Sequence, residues 1–272
     1  MSSDKTVSIA QKYPVKIVFN KKRIQAAAAN LGIQNAKGEI MAFVDADAEL
    51  PQSDWLQLMI APLLNDPLVA GSIPLLVPNK TYPAISRFFS LMQADPIIVF
   101  AYGSAKDVKD NFTSEDKYFP TGLFVIRKDL MIKAGGLKSE LKRSEDVDIT
   151  YRLIKLGYKF AIVHKAGYYH LYTQSFSSFL RKTYKRVSYF TESSSSNEFK
   201  YVPQNAARSK FLRNMLFDAS GIGAAVRIVR GVKKDKDLAW TYYPFVLLST
   251  LLIYSIVLLT NKRGSKMLKN ML

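Results

Sequence analysis

The sequence predicts an α/β fold, a mainly parallel sheet with helices on both faces. Three observations point to it. Short apolar runs alternate with helical patterns through residues 1–170. The apolar run 40–44 closes on Asp45-Ala46-Asp47, and a later amphipathic segment opens on Glu145-Asp146. In open α/β sheets ligands bind at the carboxyl ends of strands, so acids at such ends mark a candidate site.

Val15-Lys16-Ile17-Val18-Phe19 reads as a strand, and residues 24–35 as an alanine-rich helix. A turn at Lys37-Gly38 leads into the strand 40–44 that delivers Asp45 and Asp47. Pro51 and Asp54 start a helix through Trp55, Leu58 and Leu63, and residues 68–77 contain another strand. Residues 122–126 form a strand before a helix from Asp129. Phe160-Ala161-Ile162-Val163 is a further strand, with His170 just beyond it. The serine run 193–196 reads as a flexible loop.

A chain of 272 residues buries enough surface for one large α/β domain with an appendage. The absence of cysteine excludes a disulfide framework and thiolate metal sites. The net charge is +17, but residues 200–272 hold 13 Lys/Arg against 3 Asp, so that region supplies +10 of it. A basic region flanking an apolar stretch is read as attraction to anionic lipid headgroups rather than to a phosphate backbone. Zinc-finger, aromatic single-strand and basic-zipper patterns are missing, so no nucleic-acid partner is expected.

Residues 239–261 carry no charge, and about 20 helical residues cross a hydrocarbon core. Trp240, Tyr242 and Tyr243 stand at one end as an interfacial aromatic belt, and Lys262, Arg263 and Lys266 follow the other. Residues 205–232 mix apolar side chains with Arg208, Lys210, Arg213, Arg227 and Arg230, which suits interfacial amphipathic helices broken near Gly221 and Gly223. The expected organisation is therefore a catalytic domain at 1–190, a linker with amphipathic helices at 191–237, and a transmembrane helix with a basic tail at 238–272.

Two carboxylates two residues apart at a strand end can share one cation, and Mn²⁺ or Mg²⁺ prefers oxygen ligands. His170 can complete such a site. Glu145, Asp146 and Asp148 exceed what favourable charge at a helix start requires. One acidic cluster can thus hold a cation on the phosphates of an activated donor while the other deprotonates an acceptor hydroxyl.

The run 26–47, Ala-Ala-Ala-Ala-Asn-Leu-Gly-Ile-Gln-Asn-Ala-Lys-Gly-Glu-Ile-Met-Ala-Phe-Val-Asp-Ala-Asp, closely resembles the donor-site region of family-2 glycosyltransferases of the GT-A fold. Thr121-Gly122-Leu123-Phe124, Gly135-Gly136-Leu137, Ser144-Glu145-Asp146-Val147-Asp148 and Tyr169-His170 follow in the family's order. The resemblance implies that Asp45 and Asn30 lie at the donor and that Asp47 and His170 ligate the cation. It implies Asp146 as general base for inverting attack, with Glu145 beside it, and Arg181 and Lys182 over the pyrophosphate. Family members usually begin two strands and a helix earlier; Met1-Ser2-Ser3-Asp4-Lys5-Thr6 aligns just after them, so an N-terminally incomplete GT-A sheet is expected. Ala29 stands where many relatives have arginine.

The activity implied is a membrane-associated inverting glycosyltransferase, moving a sugar from a nucleotide-sugar donor to a glycan or lipid-linked acceptor at the cytoplasmic face of the cell membrane. Two alternatives stay open: a polyprenyl-phosphate sugar synthase, or a catalytically silent membrane-bound binding module. The segment 102–118 is the expected acceptor loop.

Overall fold

A computed structural model describes residues 5–22, 24–94, 105, 112–113, 123–139, 145–193, 214 and 216–260. The acceptor loop at 102–118, the serine run, and the basic residues at 208–213 and after 260 fall wholly or mostly outside them. After a short helix α1 (Thr6–Ala10) come α2 (Gln25–Asn35), β1 (Ile40–Phe43), β2 (Ala48–Glu49), α3 (Trp55–Asn65), β3 (Val69–Leu76) and α4 (Ala84–Met92). Then follow β4 (Phe124–Arg127), α5 (Lys128–Lys133), α6 (Glu145–Lys155), β5 (Lys159–His170) and α7 (Phe176–Ser193). A helix α8 (Ile222–Asp235), a 3₁₀ turn (Leu238–Tyr242) and the apolar α9 (Tyr243–Thr260) complete the described chain.

The sheet runs β1-β4-β3-β5-β2. It is mixed, not mainly parallel: among the described residues β3 and β5 pair in parallel, while β1–β4, β3–β4 and β2–β5 are antiparallel. Alternating strand and helix patterns specify the elements, not their directions, and the long connection from β3 to β4 lets β4 enter reversed. Residues 15–19 form no strand. Val15, Val18 and Phe19 are exposed, and no described strand lies beside them to complete a ladder. β5 is three times longer than the run 160–163, because its register shifts opposite Pro74/Leu75, where His164 and Lys165 turn outward. His170 is therefore the last residue of the strand.

Two apolar layers cover the sheet. On one face Ala26 and Ile33 of α2, Leu130 and Met131 of α5, and Ile149 and Leu153 of α6 pack on Ile73, Ile126 and Phe160. On the other, Trp55, Met59 and Leu63 of α3 meet Val69, Val125 and Ala161. Apolar burial of this kind stabilises by about 25 cal/mol per Å².

A third core joins the sheet domain to the C-terminal helices. Phe88 and Phe89 of α4, Phe179 of α7, Ala224 of α8 and Tyr243, Val246 and Leu247 of α9 form one buried cluster. Phe89 stacks on Tyr172 at 4.1 Å, and Phe88 meets the edge of Trp240 at 6.0 Å. The expected aromatic belt is thus used differently: Tyr243 is fully buried with its hydroxyl donating to Asp218 at 2.7 Å, and Trp240 lies against Gly231 of α8. A break at Ser220-Gly221 separates α8 from the helical residues 216–219, where Gly221 has φ +84°.

The stretch Leu238–Thr260 is long and apolar enough to cross a membrane; its most apolar 18 residues have mean hydropathy 2.0, and 33% of them are buried within the protein. Its outward side carries Phe245, Leu248, Leu252, Ile256 and Leu259, all exposed.

Candidate active site

β1 ends where Phe43 stacks on Phe124 of β4 at 4.7 Å, which fixes the strand end that delivers Asp45. The chain then turns sharply, the Ala48 amide donating to the Asp45 carbonyl at 3.0 Å. This turn lets Ala48 pair with His170 and Glu49 with Tyr169. Asp47 therefore lands beside His170, with Oδ2 3.2 Å from Nε2. Two residues 123 positions apart in sequence meet because a two-residue strand closes on the end of β5.

Electrostatics bring a third element into the cleft. Burial raises the Asp45 carboxyl above its ordinary range, and the charges of Asp47 and Asp146 raise it further, while His170 opposes them. Asp146 in the first turn of α6 is thus close enough to be felt by Asp45. Tyr168, two residues before His170 and so on the same face of β5, feels Asp45, Asp146 and Asp47 as well; burial is the main reason its phenol is held above the usual range. Mutual repulsion among carboxylates in one cleft is the condition that a cation relieves.

The neighbouring acids divide their work. Asp148 is fully buried and takes two bonds from Arg152, Nε at 2.7 Å and Nη2 at 2.6 Å, with Lys138 Nζ at 3.3 Å. Arg152 in turn donates to the carbonyls of Ala134 and Gly136. Asp148 therefore ties α6 to the turn after α5, and its charge belongs to the scaffold. Glu145 is buried at the start of α6 beside Asp146.

Asn30, expected at the donor, is bonded to the turn that follows α5. Its amide nitrogen donates to the Leu137 carbonyl at 2.6 Å and its oxygen accepts from the Leu137 amide at 3.0 Å, so both ends hold the Gly135-Gly136-Leu137 turn. Lys182 on α7 donates to the Tyr172 carbonyl at 2.6 Å, while Arg181 is exposed. Tyr168 was not anticipated; its alternation with His170 on one strand was the available signal.

A divalent cation fits this arrangement. Asp47 is an exposed carboxylate and His170 a half-exposed imidazole, chemically suited to Mn²⁺ or Mg²⁺. Among the described residues no group of three metal-ligating side chains occurs. One or two protein ligands suffice where substrate phosphates and waters supply the rest, which is the usual arrangement for Mg²⁺.

The fold is GT-A-like. The mannosyltransferase PcManGT from Pyrobaculum calidifontis, solved in complex with GDP-Man and Mn²⁺, superposes with a TM-score of 0.51 over 93% of this chain and 75% of that one, at 16% identity. Residues 1–134 match the family described as Glycosyl transferase family 2. The matched stretch includes Asn30, Asp45 and Asp47 and stops before Asp146 and His170. The pre-mycofactocin glycosyltransferase of Mycobacterium tuberculosis is 28% identical over 140 residues, covering 48% of this chain and 27% of that protein. Glycosyltransferase AglE of Haloferax volcanii is 25% identical over 171 residues, 60% of this chain and 51% of that protein. The chain thus spans between about a quarter and a half of the length of these curated relatives.

Proposed function

We propose that this protein is a glycosyltransferase that moves a sugar from a nucleotide-sugar donor to a glycan or lipid-linked acceptor with inversion, at the cytoplasmic face of the cell membrane. The observation that carries the reading is the meeting of Asp47 with His170 at 3.2 Å within the electrostatic reach of Asp45 and Asp146. In this reading Asp146 removes the acceptor proton as the acceptor oxygen bonds to the anomeric carbon and the bond to the diphosphate breaks. Asp45 faces the donor, and Asp47 and His170 hold the cation. Mn²⁺ or Mg²⁺ supplies neutralising charge for the departing nucleoside diphosphate. Glu145 stands behind Asp146 on the acceptor side, and Arg181 and Lys182 border the diphosphate.

Membrane attachment rests on the exposed apolar side of α9 and the basic residues of α8. The division at residues 190 and 237 is proposed as one of function, not of separate cores, since helices on either side share a core. The test is nucleoside diphosphate release from a panel of nucleotide sugars with Mn²⁺ or Mg²⁺, comparing the protein with Asp47→Ala and Asp146→Asn. Release should fall at least 100-fold in Asp146→Asn, the usual contribution of a positioned base. Equal release from all three proteins would remove the enzyme reading.

A further inference from the structure

A continuous set of polar contacts runs from the root of the apolar helix to the strand that presents Asp47. Asp237, directly before the 3₁₀ turn, caps that turn by accepting from the Ala239 amide at 2.8 Å. Its carboxylate is gripped by Arg87 of α4 through two bonds, Nε at 2.8 Å and Nη2 at 3.0 Å. The third guanidinium nitrogen of Arg87 donates to the Tyr82 carbonyl at 2.9 Å. The Tyr82 hydroxyl donates to Glu49 Oε1 at 2.8 Å. Glu49 is half of the two-residue β2, whose other half, Ala48, is paired with His170.

Among the described residues β2 is held by its pairing with the end of β5, by the packing of Ala48 on the apolar layer, and by this one side-chain hydrogen bond to Glu49. Two residues make few ladder bonds, so a side-chain tether weighs heavily in where the strand, and Asp47 next to it, comes to rest. Arg87 suits the other end because its planar fork fixes direction as well as distance. We propose that Tyr82 and Arg87 are positioning residues that set the Asp47/His170 cation site from the base of α9, so that seating of this helix and cation affinity are coupled. Such coupling is reciprocal: cation binding favours the seated helix as much as seating favours the cation. The inference rests on the cation role proposed for Asp47 and His170.

The full chain, in vesicles containing anionic lipid, would be titrated with Mn²⁺ in the presence of UDP or of GDP, following free Mn²⁺ by its paramagnetic resonance. Tyr82→Phe removes one hydroxyl and should weaken Mn²⁺ binding three- to tenfold. Arg87→Gln, remote from the cation, should do the same. The Mn²⁺ needed for half-maximal nucleotide release should rise in parallel while kcat at saturating Mn²⁺ falls less than twofold. Glu49→Ala combined with Tyr82→Phe should be no worse than either alone, since both cut the same link. If Tyr82→Phe and Arg87→Gln bind Mn²⁺ as the unaltered protein does while Asp47→Ala does not, the tether is overturned and the cation site stands. If Asp47→Ala also binds Mn²⁺ normally, the cation site itself has failed and this inference goes with it. Should Arg87→Gln not fold, Tyr82→Phe alone decides.

Discussion

Asp146 and Asp148 sit two residues apart on α6, and the structure assigns them opposite consequences. Asp148 is fully buried between Arg152 and Lys138, so Asp148→Ala strands a guanidinium that is itself mostly covered. Breaking a buried pair by removing one partner costs about 3–5 kcal/mol. A chain of this size loses about 2–4 °C of Tm per kcal/mol, so the lower figure alone predicts a fall of about 6–12 °C. Asp146→Asn removes a charge that opposes Asp45 and should leave Tm unchanged or slightly raised while abolishing transfer. Thermal melts followed by circular dichroism, in one detergent for all three proteins, provide the comparison. A Tm for Asp148→Ala within about 2 °C of the unaltered protein would refute the scaffold role and the assignment of acids that depends on it.

Asp45→Asn should stabilise the metal-free protein at neutral pH. The folded state raises this carboxyl, so the stability tied to its protonation is complete at acid pH, below its ordinary range, and is lost as pH climbs through the raised value. Melts of both proteins should therefore agree near pH 3 and separate towards pH 8, with the variant higher; parallel curves would contradict this. Gly231→Ala places a β-carbon 2.2 Å from the Trp240 ring. It should shift tryptophan emission to the red and cost about 1–3 kcal/mol, read by fluorescence and denaturant unfolding. Leu252→Asp, on the outward side of α9, should cut partitioning into lipid vesicles by about 100-fold, since an aspartate at mid-helix costs about 2.5–3.5 kcal/mol in lipid. Unchanged flotation with the vesicles would mean that this side does not meet lipid.

Much of the frame was legible because local signals were strong. The alanine run became α2, the apolar runs at 40–44 and 68–77 became β1 and β3, and Pro51 with Asp54 preceded α3. What pattern could not supply was anything decided by a neighbour. Residues 15–19 alternate like a strand yet lack an adjoining ladder, and β4 reversed the expected direction. α4 was legible too, since Ile85, Phe88, Phe89 and Met92 keep a helical period with Arg87 between them. At the site, the acids were visible in sequence. The partners were not: Asp148 meets Arg152 and Lys138, and the amide of Asn30 bonds to the backbone of Leu137, over 100 positions away.

The aromatic cluster shared by α4, α7, α8 and α9 bears on how this protein can be handled. Cutting the chain before Leu238 to obtain a water-soluble catalytic piece would uncover Phe88 and Phe89 and leave a hole where Tyr243, Val246 and Leu247 were, inviting aggregation. A soluble version is better sought by recolouring the outer stripe, Phe245, Leu248, Leu252, Ile256 and Leu259, with hydrophilic side chains while the inward side keeps its plug.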